Sequence, residues 1–218
     1  MSGLPRYPST PRWRWSSGFT KQNKQTMRIY GDLSSGNCLK VKYTADFLGL
    51  DYDWTPVDIM QGESRAPDFL RMNPQGQVPV IQLEDGRCLA QSNAIIRYLA
   101  QGTALLPLDN YLQAKVDEWL FWEQYSHEPY IAVCRFHMLY QGKPLEARES
   151  WRVERGENAL DYMENHLSGR QWLAGDTFTT ADIALLAYTR VAHEGGFDLE
   201  ARQNVQQWVQ DCERLLSL

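Results

Sequence analysis

The alternation of apolar and polar positions takes on a regular character at Met27. "MRIYG" predicts a short strand, and "NCLKVKYTADFLGL" after it places Cys38, Val41, Ala45 and Leu48 on one helical face, with Gly49 as the stop. "DYDWTPVDI" has the Trp, Thr and Val content of a second strand. Strand, helix, strand in that order predicts a parallel pair joined by a crossover. Pro67 suits the first turn of a short helix, which Asn73-Pro74 and Gly76 break. "VPVIQL" and "RCLAQ" flank Glu84-Asp85-Gly86, and the Asp-Gly pair signals a hairpin between two antiparallel strands. Ser92 is the expected N-cap of a helix that buries Ile95, Tyr98 and Leu99.

Past Gly102 and Pro107 the pattern turns wholly helical. Leu112, Val116, Trp119, Leu120 and Glu123 share a mostly apolar stripe. Pro129, inside "YSHEPYIAVCRF", should kink or interrupt this helix, because it lacks an amide proton and crowds the preceding turn. "PLEARESWRVERGENALDYMENHL" and "TTADIALLAYTRVA" predict two more amphipathic helices, the second opened by Thr179 three residues before Asp182 as a capping box. A last helix is expected over about 200–215. The predicted order is β-α-β-α-β-β-α over 27–101, then an all-helical part over 108–218.

Composition narrows the function classes. The 218 residues and 43% hydrophobic content suffice for a full core in one long or two short domains. A net charge of −5 argues against a nucleic-acid partner, which needs a basic face. No apolar run reaches the length of a membrane span, so no membrane partner is expected. Residues 1–26 carry Arg6, Arg12, Arg14, Lys21 and Lys24 with no acidic residue and three prolines, which predicts a flexible basic N-terminal extension, with a natural start at Met27 or an idle extension as the plainer reading and an Arg-rich targeting segment as the sharper one. Setting those five charges aside leaves the rest of the chain at about −10. Cys38, Cys88, Cys134 and Cys212 are spread widely, with no CxxC and no Cys/His spacing, so neither a disulfide framework nor a metal site is expected and a cytoplasmic location fits best.

Three segments carry a family resemblance that extends from Met27 to the C-terminus. "NPQGQVPVI", "LAQSNAIIRYL" and "WLAGDTFTTADIALLAYT", set in this order of elements, resemble the corresponding segments of the cytosolic glutathione S-transferases. The resemblance implies an N-terminal thioredoxin-like βαβαββα domain, α/β in class, followed by an all-helical C-terminal domain. It further implies a homodimer, with glutathione as co-substrate and a small-molecule electrophile as its partner in the reaction. It implies a cis bond between Val78 and Pro79, with Gln77, Val78 and Pro79 forming the loop whose main chain pairs with the cysteinyl part of glutathione. Gln91 and Ser92 match the segment that opens the third helix, where Ser92 would bind the γ-glutamyl carboxylate. Thr179 and Asp182 match a capping pair whose role is structural.

The stretch "GDLSSGNCLKV" matches the turn where thioredoxin-like folds place their reactive group, at a helix N-terminus. Ser35 stands where the first cysteine of a CxxC pattern would be, and is the first choice for the hydroxyl that holds the glutathione thiolate. Asn37 is its rival, since some branches of the family use an asparagine there, and Ser34 is third. Cys38 falls on the apolar helix face with Val41 and Ala45 and is expected to be packing rather than a redox thiol. The electrophile should lie over the first helices of the helical part, where Trp119, Trp122, Tyr125, His127, Tyr130 and His137 supply aromatic and imidazole groups, only some of them facing the cleft. His127 is expected to be a hydrogen-bonded structural residue before a general acid. Glutathione-dependent conjugation is the leading function. A glutathione-dependent disulfide oxidoreductase or peroxidase is the alternative, and a non-catalytic glutathione-binding module is a further one.

Overall fold

A computed structural model describes residues 26–218; the basic segment singled out at the N-terminus therefore lies outside the described residues, except for Thr26. The chain opens with β1 (Met27–Gly31), α1 (Gly36–Phe47) and β2 (Tyr52–Pro56), and β1 pairs with β2 in parallel from Met27↔Tyr52 to Gly31↔Pro56. α2 (Pro67–Met72) follows, with Pro67 at its first turn as its missing amide proton allows. β3 (Val80–Gln82) and β4 (Cys88–Ala90) form the expected hairpin, closed by Gly86 at φ 84° and paired Val80↔Ala90. β3 lies antiparallel to β1, so the sheet order is β2-β1-β3-β4, the mixed sheet of a thioredoxin-like fold.

α3 (Ser92–Leu99) ends this α/β part. Its N-cap is Gln91, one residue earlier than the sequence suggested, because the chain turns there at φ 72°. Its buried side is Ser92, Ile95 and Ile96. Tyr98, expected inside, is 49% exposed, since the 92/95/96/99 stripe rather than position 98 faces the core.

The helical part comprises α4 (Asn110–Trp122), α5 (Glu128–Leu139), α6 (Ser150–Leu167), α7 (Thr180–Thr189) and α8 (Gln203–Leu216). A π-helical turn over Glu123–His127 joins α4 to α5 and leaves Pro129 in the first turn of α5, which is how the chain accommodates a residue that cannot donate in a helix interior. α6 starts at Ser150 rather than at Pro144, whose segment forms only a short 3₁₀ turn over Leu145–Ala147. α7 is buried along its whole length and begins with the capping box read from the sequence. Asp182 accepts from Thr179 N at 2.9 Å, Leu173 N at 3.0 Å and Trp208 Nε1 at 2.9 Å, so one buried carboxylate ties the start of α7 to the preceding loop and to α8.

The two parts share one hydrophobic core. Ile29, Val41, Ile81 and Ile95 from the α/β side pack in the same cluster as Leu105, Trp119, Ala184, Leu186 and Trp208 from the helical side. α1 lies directly against α7, so the N-terminus of α1 points into the crevice between the two parts.

Candidate active site

A cleft of about 550 Å³ opens where four segments meet: the first turn of α1, the loop before β3, the N-terminus of α3, and the π turn with α5. Ser35, Asn37, Gln77, Val78, Pro79, Gln91 and Ser92, all singled out from sequence, line it together. Ser34 does not; its side chain is exposed, and its carbonyl accepts from Arg135 Nη1 at 2.7 Å. The helical part contributes Gln124, Glu128 and Phe136. None of Trp119, Trp122, Tyr125, His127, Tyr130 and His137 is among the lining residues, which corrects the expectation that some of them face the cleft. Trp119 and Trp122 pack edge-on in the helical interior at 5.2 Å, Tyr125 points outward at 80% exposure, and His127 is fully buried.

The turn before α1 is held from the helical side. Asp32 accepts from Ser34 N at 2.8 Å and from the Tyr140 hydroxyl at 2.9 Å, while Arg135 grips the Ser34 carbonyl. Burial and the adjacent Asp32 push the Tyr140 hydroxyl up to about 12, so it stays a donor. Ser35 is then the N-cap residue of α1, in extended conformation, yet its side chain makes no capping bond. The hydroxyl lies instead beside the Cys38 thiol and the Tyr188 hydroxyl, on the wall of the cleft.

Asn37 is the hub of the site. Its Oδ1 accepts from Ser92 Oγ at 2.9 Å and from Lys40 Nζ at 2.9 Å, and its Nδ2 donates to Glu128 Oε1 at 2.8 Å. Ser92 thus turns its hydroxyl to Asn37 instead of capping α3. Lys40 is fully buried and also donates to Glu123 Oε1 at 2.8 Å, an ion pair with both side chains at 0% exposure, and Glu128 Oε2 lies 3.7 Å from the same Nζ. Glu123 is in turn bonded by Asn93 Nδ2 at 3.0 Å and Gln124 Nε2 at 2.8 Å. Charges so deep are tolerated only with complete hydrogen bonding, and removing one partner costs about 3–5 kcal/mol.

Sequence reasoning missed this pair. The signal was present in part: Glu123 is the one charged position on the apolar stripe predicted from Leu112 onward, and Lys40 sits beside Val41 on the core side of α1. Arg65, at the mouth of the cleft, was missed too; its Nη1 donates to Gln75 O at 2.9 Å.

The other wall is main chain. Asn73 is buried and clamps the loop before β3, donating from Nδ2 to Gln77 O at 2.8 Å and accepting from Gln75 N at 3.2 Å. The Val78-Pro79 bond is cis. Val78 N and O make no hydrogen bond among the described residues, so an extended ligand can pair with them as an added strand. Gln91 opens α3 with φ at 72°, an uncommon conformation for a residue other than glycine, and the free amides of the first turn of α3 face an anion favourably.

Cys38 behaves as packing. It is fully buried, its Sγ accepts from Asp32 N at 3.4 Å, and a Cβ at Gly31 would lie 2.9 Å from it. Burial pushes its thiol up to about 11, far from the thiolate a redox cysteine needs.

Two family models match the chain: "Glutathione S-transferase, N-terminal domain" over residues 34–101 and "Glutathione S-transferase, C-terminal domain" over residues 126–215. Glutathione S-transferase 3 of Zea mays is 34% identical over 194 residues, spanning 84% of this chain and 86% of the maize protein. The crystal structure of a glutathione S-transferase from Pseudomonas fluorescens Pf-5 superposes with a TM-score of 0.83 at 49% identity, covering 86% of this chain and 94% of that one. A possible glutathione S-transferase from Rhodopseudomonas palustris gives 0.84 at 40% identity, covering 87% and 95%.

Proposed function

The chain belongs to the cytosolic glutathione S-transferase family, whose members use glutathione as co-substrate, and from that premise we propose that its cleft activates the glutathione thiolate for attack on a small electrophile. The cysteinyl main chain pairs with Val78, and the γ-glutamyl carboxylate meets the amides that open α3 at Ser92. Arg65 takes the glycyl carboxylate, being the cation at the cleft mouth. The sulfur then lies at the first turn of α1, where the Ser35 hydroxyl and the Asn37 amide donate to it.

Neither group removes the proton as a base. Donors that favour the thiolate, together with the positive end of α1, lower the thiol's pKa from its ordinary value of about 8.5 toward neutrality. The observation that carries the reading is the convergence of Ser35, Asn37, Val78 and Ser92 on one cleft. Calorimetry with glutathione tests it, together with the ultraviolet absorbance of the bound thiolate against pH. Wild type should bind, and Ser35→Ala should still bind but raise the thiol's pKa by about one unit. A wild-type protein that does not bind glutathione sinks the proposal.

One observation favours a second reading, glutathione-dependent disulfide or peroxide reduction. The helical wall of the cleft is Gln124, Glu128 and Phe136, more polar than an apolar electrophile needs. Turnover of hydroxyethyl disulfide without turnover of a chloronitrobenzene selects it; the converse selects conjugation.

A homodimer and a cytoplasmic location are parts of the same proposal. Exposed aromatics on α3, α4 and the π turn, Tyr98, Tyr111, Phe121 and Tyr125, support the dimer. Among the described residues no helix is long and apolar enough to cross a membrane.

A further inference from the structure

Lys40 is fully buried, carries a charge, and does not line the cleft. Its place is explained by what it does to Asn37. Lysine has only donors, so an oxygen must face it, and the Ser92 hydroxyl reaches the same atom. The carboxylate of Glu128 has only acceptors, so a nitrogen must face it. The two ends of the Asn37 amide are thereby assigned from opposite sides. One Nδ2 hydrogen goes to Glu128, and the second has no protein acceptor among the described residues.

We propose that Lys40, held by Glu123, is a positioning residue that locks the Asn37 amide with its free Nδ2–H presented to the ligand sulfur. The inference rests on the reading that the glutathione sulfur lies at the first turn of α1. Two acids, Glu123 and Glu128, stand under that turn, and without Lys40 both would disfavour a thiolate there. Lys40 neutralises Glu123, and its charge pulls the negative end of the Asn37 amide dipole inward, away from the sulfur. Of the other titratable groups beside Lys40 or the first turn of α1, the Tyr188 hydroxyl is pushed up by burial and stays protonated, His127 is pushed down to about 3 by burial and stays neutral, and Cys38 stays a thiol. None of the three titrates near neutrality, so a change in the bound thiol's ionisation reports on the Lys40 group.

Lys40→Met alone would strand a buried carboxylate, so the variant to make is the paired Lys40→Met/Glu123→Gln, alone and with Asn37→Ala. Each is measured for glutathione affinity by calorimetry and for the pH midpoint of thiolate formation in the complex. The pair should bind with an affinity within about threefold of wild type, because the main-chain contacts at Val78 and Ser92 are untouched. Its thiol midpoint should rise by about one unit, and the pair should add no further rise in the Asn37→Ala background. A folded, binding pair with an unchanged midpoint overturns the proposal, and so does a rise of equal size with Asn37 absent. If the pair does not fold, the wild-type protein decides by side-chain amide NMR: one Nδ2 proton of Asn37 shifts on adding glutathione while its partner stays with Glu128. Equal shifts, or none, overturn it. Failure of wild type to bind glutathione sinks the parent reading instead, and is told apart by the calorimetry.

Discussion

The Tyr188 hydroxyl on α7 accepts from the Asn37 main-chain amide at 3.3 Å, so a residue of the helical part occupies the first turn of the helix that opens the site. The same ring covers Gly36, where a Cβ would lie 2.6 Å from Tyr188 Cε1. Glycine is required at position 36 by this approach and not by its backbone angles. It lets the N-terminus of α1 dock against the buried ring, which fixes where Ser35 and Asn37 point.

Gly36→Ala is therefore expected to destabilise the fold by about 1–3 kcal/mol through overpacking. It should also weaken glutathione binding, because α1 must move to relieve the contact. Tyr188→Phe keeps the ring and loses only the hydroxyl, with its contacts to Asn37 N and the Ser35 side chain, at about 1 kcal/mol. Urea unfolding of the two variants checks this. Wild-type stability and binding in Gly36→Ala would show that the ring yields without moving α1.

The buried thiol of Cys38 separates a transferase from a cysteine-based reductase. Held as a thiol and walled in by Gly31 and Asp32, it is not expected to form a mixed disulfide. Cys38→Ala should retain turnover within about twofold and lose about 1 kcal/mol of stability to the small cavity. In the native protein an alkylating reagent should label Cys88, which is partly exposed, before Cys38. Loss of turnover in a folded Cys38→Ala protein would return the chemistry to this cysteine.

The elements were largely legible because their signals are local. The Asp85-Gly86 turn, the Thr179/Asp182 box and the apolar face of Cys38, Val41 and Ala45 each lie within a few residues, and each appears in the structure as the pattern predicts. Ser35, Asn37, Val78 and Ser92 were singled out through resemblance, because each lies in a short segment with a recognisable motif, and the structure brings the four to one cleft. What was illegible joins distant positions. Lys40 and Glu123 are separated by 83 residues, and each read alone is only a charge on an apolar face. The tryptophans misled for a related reason: a helical stripe says that Trp119 and Trp122 face inward, but not whether a ligand or α6 lies there, and Tyr162 of α6 packs on both.

The outer faces of α3 and α4 bear on assembly. Phe121 is 75% exposed and borders an apolar hollow of about 300 Å³ with Ala94, Arg97 and Leu120. A second copy covering this face would bury aromatic area that a monomer leaves in water. Wild type should sediment as a dimer at micromolar concentration, and Phe121→Glu should shift it to monomer with an unchanged helical signal. A wild-type monomer at those concentrations removes the dimer from the proposal.

His127 gives the fold a predictable response to acid. Thr189 Oγ1 donates its proton to Leu185 O at 2.7 Å, so at 2.9 Å from His127 Nε2 it accepts, and the ring carries its proton on Nε2. Nδ1 is then a bare, buried nitrogen with no partner among the described residues. Protonating it would place a charge and an unmatched donor in the interior, and burial, followed by the charge of Lys40, pushes its pKa down from 6.5 to about 3. The unfolded chain keeps the ordinary value. Between about pH 6.5 and about pH 3 the unfolded state therefore binds more protons than the folded one, so stability falls as the pH falls through that window. The slope from this residue reaches at most about 1.4 kcal/mol per pH unit. Above pH 7 the contribution is flat, because the ring is neutral in both states. His127→Gln should be less stable at neutral pH and should lose this residue's part of the acid slope. Urea midpoints for both proteins at neutral pH and at two acid values check the prediction. A wild-type curve as flat as that of the variant would mean that the buried ring accepts its second proton in the folded protein.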